Sequence, residues 1–273
     1  MATLVAFHAH PDDETIIQGG SLARAVAEGH RVVIVYATDG EHGEVPDGLL
    51  AEGETLVERR RIEAERSAVA LGTSRLVWLG YGDSGMMGTD DNDDPDCFWR
   101  ADVEKAAEVL ADVLREERAD LLTIYDPNGN YGHPDHIQVH RVGARAAELA
   151  GVPEVLEVTI SRDHVRFLVQ TVIASGEAPP EEMPDFDDPD LIFGMPDDVI
   201  TTTIDVTPWL DRKRAAMEAH ASQIGDMRMF LAMPPEAFAA TLGIEFYIRH
   251  GAADGRRDHE LFAAAADPGM MSG

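Results

Sequence analysis

"FHAHPDDETI", residues 7–16, follows directly on the apolar run Leu4-Val5-Ala6-Phe7 and packs two histidines, two aspartates and a glutamate into the stretch from His8 to Glu14. Unpaired charge is costly to bury. A cluster this dense at the end of a buried-looking strand therefore implies something to hold. A second polar group stands at the end of another apolar run. "YDPNGNYGHPDHIQVH", residues 125–140, carries Asp126, Asn128, Asn130, Tyr131, His133, Asp135 and His136.

The spacing of these runs predicts the fold. Strands are expected at 3–8, 31–37, 75–79 and 120–125, each short and with little polar alternation, as in a parallel sheet covered on both faces. Helices are expected at 15–28, 54–71, 102–118 and Pro134–Ala150, with Gly29, Gly72 and Gly151 placed to stop three of them. Repeated strand–helix units predict an α/β, Rossmann-like, mostly parallel sheet flanked by helices, with right-handed crossovers. Ligands in such sheets sit beyond the carboxyl ends of the strands, and the first and fourth strands adjoin at the switch point. Both clusters fall there. The first turn has no Gly-x-Gly-x-x-Gly, and its carboxylates would repel a pyrophosphate, so a dinucleotide cofactor is not expected.

Past residue 151 we expect a strand at 155–160, a helix at 162–174, an acidic loop over 175–198, a strand at 199–206, a helix at 208–224 and a last strand at 244–249. This gives one domain over 1–250: a metal-binding core at 1–150 and a smaller, irregular α/β part at 151–250 forming a substrate wall. A loose tail is expected over 251–273.

The chain has 273 residues, with 22 Lys and Arg against 51 Asp and Glu, a net charge of −29. That excess argues against nucleic acid and anionic membranes as partners, since both require a basic face. No apolar stretch approaches the roughly 20 residues of a membrane span, and the opening residues lack a basic leader. A cytoplasmic protein is expected, with oligomerisation left open. The single cysteine, Cys97, excludes a disulfide framework and a thiolate zinc cluster.

Histidine and carboxylate donors without thiolate suit zinc, and accept iron, cobalt or manganese. His8 and His10 lie two apart and point to one side of an extended strand. Asp12 and Asp13 are adjacent and must diverge, which suits one metal ligand and one catalytic carboxylate. His133 and His136 share a face at a helix start. Three protein ligands and an open position make a catalytic site. "HIQVH", residues 136–140, has Ile137 where a metalloprotease needs its glutamate. "TDDNDDPD", residues 89–96, has Pro95 where a calcium loop needs glycine. His8 and His140 are expected to pack behind the site, and Glu14 to cap the following helix or hold a ligand. Lys213 and His220, seven apart on one helix, either approach the site or form a surface lysine beside a structural histidine.

His10-Pro11-Asp12-Asp13-Glu14 together with His133-Pro134-Asp135-His136 resembles the LmbE-like (PIG-L) family of zinc-dependent N-deacetylases. That family includes N-acetylglucosaminyl-phosphatidylinositol deacetylases and the mycothiol-pathway N-acetylglucosaminyl-inositol deacetylase. The likeness covers the first 150 residues and, more thinly, Lys213 to Gln223. It implies zinc held by His10, Asp13 and His136, with Asp12 as general base. It further implies His133 at the oxyanion and the leaving amine, Asp135 orienting and charging His133, and Tyr131 assisting at the carbonyl. Arg60, in preference to Arg61, and Asp83 fall where sugar hydroxyls are gripped. The expected activity is removal of an N-acetyl group from a small N-acetylglucosamine-containing substrate. The alternatives are a mycothiol-conjugate amidase-like hydrolase and, from another class, a zinc-binding module without catalysis.

Overall fold

Strand β1, Thr3–His8, lies inside the sheet with Leu4 to Phe7 fully buried, so both of its faces must be apolar. The computed structural model describes residues 1–175, 184–186, 188, 190–252 and 257–262. After β1 come α1 (Asp13–Ile17), α2 (Gly19–Ala27), β2 (Arg31–Thr38), α3 (Leu56–Leu71) and β3 (Arg75–Tyr81). Then follow α4 (Val103–Glu117), β4 (Leu121–Tyr125), the single turn α5 (Gly129–Gly132), α6 (Pro134–Ala150), β5 (Glu154–Thr159) and α7 (Arg162–Ser175). The remainder is β6 (Thr202–Asp205), α8 (Leu210–Ala219), α9 (Ile224–Leu231), α10 (Pro235–Leu242) and β7 (Ile244–Arg249).

The sheet runs β3-β2-β1-β4-β5-β7-β6. β3, β2, β1, β4 and β5 pair in parallel, and β7 is antiparallel to both of its neighbours. The fold is therefore α/β with a mostly parallel sheet flanked by helices, and the switch point falls between β1 and β4. The loops leaving those two strands carry the two polar clusters.

Local chemistry explains both ends of α3 and of α6. Thr55 and Glu58 form a reciprocal capping box on α3, and Gly72 closes it with φ +84°. His133 caps α6 by accepting the N–H of Asp135, Pro134 takes the first position, and Gly151 ends it at φ +69°.

The expected helix over 15–28 is two helices, broken at Gln18. Its buried amide reaches across to Thr123 Oγ1 at 2.9 Å. The free amides of the second helix, Gly20 and Ser21, donate to the Glu245 carboxylate at 2.9 and 2.8 Å. A distant strand thus caps α2, which no local pattern announces. The helix expected over 208–224 is also shorter: α8 ends at Ala219, and a tight turn at Ala221–Gln223 leads into α9, with α10 beyond it. The strand expected at 199–206 narrows to Thr202–Asp205. Part of the acidic loop over 175–198 lies outside the described residues, as do 253–256 and 263–273 of the expected tail. Within that tail, Asp258 bridges to Thr202, and Leu261 and Phe262 are buried against the main core.

Candidate active site

The carboxyl ends of β1 and β4 open on a cavity of about 500 Å³. His10, Asp12, Asp13, Arg60, Asp83, Tyr131, His133 and His136 all line it. Asp135 is fully buried and does not. The residues to which the family resemblance gives a role, Asp135 apart, all line this cavity.

His10, Asp13 and His136 each offer a ligand atom, all within 4.8 Å of one another. Asp13 bridges the set: its Oδ2 accepts the backbone N–H of His10 at 2.8 Å, and its Oδ1 lies 3.4 Å from His136 Nε2. His136 is 1% exposed, and neither of its ring nitrogens has a hydrogen-bond partner. A buried imidazole with idle nitrogens is costly unless something else takes the lone pair. Two histidines and a carboxylate at this spacing fit a divalent metal with one open position. Despite burial, Asp83, Asp13 and Asp135 hold the His10 imidazole well above its usual pKa, and its neighbouring histidines hold Asp13 well below the usual carboxylate range. The pocket thus concentrates negative charge around its imidazoles.

Asp12 stands apart from this set. Its φ of +119° is one that L-residues rarely adopt. The carboxylate meets Arg60 Nη2 at 3.0 Å. Burial pushes its carboxyl up to about 6, against the opposing pull of the Arg60 guanidinium. A carboxylate of that basicity suits proton transfer near neutrality.

His133 Nδ1 accepts the backbone N–H of Asp135 at 3.2 Å. The neutral ring must then carry its proton on Nε2. Burial and the charges of His10 and His136 push its pKa down to about 2, so the ring stays neutral. The Asp135 carboxylate is engaged elsewhere. It accepts from His10 Nε2 at 3.1 Å, from Ser84 N–H at 2.9 Å and from the Ser84 hydroxyl. The expectation that this carboxylate orients His133 therefore differs from the geometry: the backbone of Asp135 sets His133, and its side chain sets His10.

Arg60 is 3% exposed, its guanidinium donating to the carbonyls of Gly40, at 2.7 Å, and Pro11, besides Asp12. Arg61 turns away to Asp39 at 2.7 Å. A Cβ on Gly40 would lie 2.4 Å from Arg60 Nη1, and one on Gly43 would lie 2.6 Å from it, so both glycines make room for the guanidinium. Asp83 accepts N–H groups of Gly85 at 2.9 Å and His42 at 3.1 Å. Tyr131 is 43% exposed at the cavity mouth, its ring 4.9 Å from that of His136.

His8 is fully buried with Nδ1 2.9 Å from the Tyr125 hydroxyl, and His140 Nδ1 is 3.0 Å from the Tyr125 carbonyl, so both pack behind the site. Lys213 is neither on the surface nor at the site: it is 1% exposed and pairs with Glu245 at 2.7 Å. His220 is buried on Glu14 at 2.9 Å. Sequence reasoning missed Ser84, Ser67 and Glu245. Their partners are 51, 53 and 224–225 residues away, and no local spacing marks them.

An α/β sheet whose switch point carries a His–Asp–His cluster spaced for a divalent ion, beside a second carboxylate, is an arrangement that suits metal-assisted hydrolysis. The chain belongs to the PIG-L, GlcNAc-PI de-N-acetylase, family, whose model matches residues 5–147. It is 41% identical over 278 residues to a 1D-myo-inositol 2-acetamido-2-deoxy-alpha-D-glucopyranoside deacetylase of Acidothermus cellulolyticus, covering 96% of this chain and 94% of that one. It is 43% identical over 241 residues to the protein of that name in Thermobifida fusca, covering 81% and 83%. The chain is an N-deacetylase, which sets aside the non-catalytic module. Among solved structures, N,N'-diacetylchitobiose deacetylase of Pyrococcus horikoshii matches with TM-score 0.55 at 23% identity, over 90% of this chain and 83% of that one. A 4-carboxy-2-hydroxymuconate hydratase of Pseudomonas putida matches with TM-score 0.57 at 19% identity, over 93% and 98%. The fold therefore hosts other chemistry, and activity must be argued from the site. Among the described residues, no helix is long and apolar enough to cross a membrane.

Proposed function

We propose that this deacetylase removes acetate from a small N-acetylglucosamine-containing sugar in the cytoplasm, with N-acetylglucosaminyl-inositol, named by its relatives, as the foremost substrate. Zinc would be held by His10, Asp13 and His136, a donor set that also accepts iron(II) or another divalent ion. The observation that carries this reading is the opening of that donor set and the Asp12 carboxylate on one cavity.

A bound zinc supplies polarisation of the acetamide carbonyl and acidification of water towards a pKa of about 7. Asp12 takes the proton from the attacking water. His133, its Nδ1 already occupied, presents Nε2–H to the developing oxyanion, and Tyr131 at the cavity mouth adds a second donor. A neutral imidazole held far below its usual pKa is a poor acid, so protonated Asp12 returns the proton to the leaving amine. Asp135 keeps His10 in the ligating tautomer. Arg60 and Asp83, on the cavity wall, meet the sugar hydroxyls.

The test measures acetate release from N-acetylglucosaminyl-inositol and from N-acetylglucosamine, and amine release from a mycothiol S-conjugate, with metal content on the same preparation. The first substrate is expected to turn over fastest. Asp12→Ala should keep its metal and lose about 10²–10⁴-fold in kcat. Faster cleavage of the conjugate would favour the amidase-like alternative. An Asp12→Ala variant at wild-type rate would refute the assigned base.

A further inference from the structure

We propose that the buried Glu14–His220 pair is a positioning device that holds Asp12 in its unusual backbone conformation and so aims the carboxylate into the cavity. This inference rests on Asp12 being the base.

The backbone of Asp12, at φ +119° and ψ −35°, lies where non-glycine residues sit at a cost of about 1–3 kcal/mol unless their surroundings fix them. Several contacts fix it. The Asp12 N–H donates to Glu14 Oε2 at 2.9 Å. Its carbonyl accepts from Thr15 N at 2.9 Å and Thr15 Oγ1 at 2.8 Å, and its carboxylate meets Arg60. Among the side chains, Glu14 alone grips the amide, and it is itself gripped. Its other oxygen accepts from Ser67 Oγ at 2.7 Å and His220 Nε2 at 2.9 Å, and both Glu14 and His220 are fully buried.

Neither residue lines the cavity, and among the described residues neither is one of the side chains spaced to hold a metal. The pair does not reach the cavity, and its contact nearest the site is the Asp12 amide. His220 comes from the end of α8, 206 residues from Glu14. Next to it, Ser222 Oγ donates to Glu63 on α3 at 2.6 Å. The same short segment thus makes one buried bond that reaches Asp12 through Glu14 and another, to Glu63, that does not. Loss of the first lets the Asp12 peptide relax out of its positive φ and swing the carboxylate.

The test is a kinetic cycle on the metal-loaded protein. Glu14→Ala, which removes the acceptor of the Asp12 N–H, should lower kcat about 10²-fold, as expected when a reacting group is misplaced by around an ångström. KM should stay within about threefold, and metal content should be unchanged. His220→Ala should lower kcat about tenfold, and His220→Gln, which restores an N–H donor, should recover most of it. Gly20→Ala, which crowds Val206, a residue that does not line the cavity, should reduce thermal stability as His220→Ala does and leave kcat near wild type. In an Asp12→Ala background, Glu14→Ala should add no further loss, because its effect passes through the missing group.

Unchanged kcat in Glu14→Ala overturns the inference. So does an undiminished effect in the Asp12→Ala background, or loss of the metal with the Glu14 substitution. Should Glu14→Ala not fold, the His220→Ala and His220→Gln pair decides, and equal kcat in those two variants and the wild type overturns it. An Asp12→Ala variant at full rate overturns the base assignment itself, whatever Glu14 does.

Discussion

Replacing Asp135 distinguishes two roles for one carboxylate. If it charges His133, Asp135→Asn should collapse kcat and leave metal affinity alone. The geometry predicts the opposite. Oδ2 of Asp135 accepts from both His10 Nε2, at 3.1 Å, and Ser84 N–H, at 2.9 Å, while Oδ1 takes the Ser84 hydroxyl. An asparagine can keep its oxygen on the first two donors and turn its nitrogen to Ser84 Oγ, so shape is preserved. What is lost is the negative charge behind a ligating imidazole. Removing such a partner weakens metal binding about 10–100-fold, or about 1.4–2.7 kcal/mol. We expect Asp135→Asn near the lower figure and Asp135→Ala, which also frees the His10 ring, near the upper. At saturating zinc, kcat of Asp135→Asn should stay within about tenfold of wild type. Competition with a fluorescent zinc chelator, followed by kinetics at saturating metal, reads both quantities. A zinc affinity equal to wild type with kcat down a hundredfold or more would refute the assignment of the carboxylate to His10.

Three further outcomes follow from the same coordinates. His133→Ala should retain zinc and lose about 10²–10³-fold in kcat, the usual effect of deleting an oxyanion donor, checked by steady-state kinetics and metal analysis. Glu245→Gln leaves the buried Lys213 cation without its carboxylate and disturbs the cap on α2. It should destabilise the protein by about 3–5 kcal/mol in denaturant titration, while a Lys213→Met/Glu245→Gln double variant recovers part of that loss. Gly20→Ala would set a Cβ 2.4 Å from Val206 Cβ; overpacking of about 1–3 kcal/mol should outweigh the helix-propensity gain and lower the melting temperature.

The site was legible because its donors come in two contiguous stretches, each following a strand whose burial is written in uninterrupted apolar residues. Parallel order then brings the ends of β1 and β4 together without further information. The positions that escaped reading obtain their roles from residues far along the chain. Lys213 reads as a surface residue until Glu245 is placed beside it. Glu14 reads as a helix-start acid until His220 and Ser67 meet it. The helix over 15–28 looks continuous because its break at Gln18 is satisfied by Thr123 and Glu245, from other strands. Asp135 is a different case: the motif reads as orienting His133, whereas the hydrogen bonds of its carboxylate run to His10 and Ser84. A hydrogen bond from its own amide to His133 leaves the carboxylate free to turn to His10, a choice that residue order cannot express.

The placement of β7 between β5 and β6 has a consequence for how the protein is born. β7 follows β6 in the chain yet is interior to the sheet, so β6 has no neighbouring strand until Ile244–Arg249 has been translated. The amides of Gly20 and Ser21 likewise wait for Glu245, and Glu14 waits for His220. A nascent chain can therefore assemble β1 to β5 early yet cannot lock the loop that carries Asp12 until His220 has been translated, nor cap α2 until Glu245 has followed.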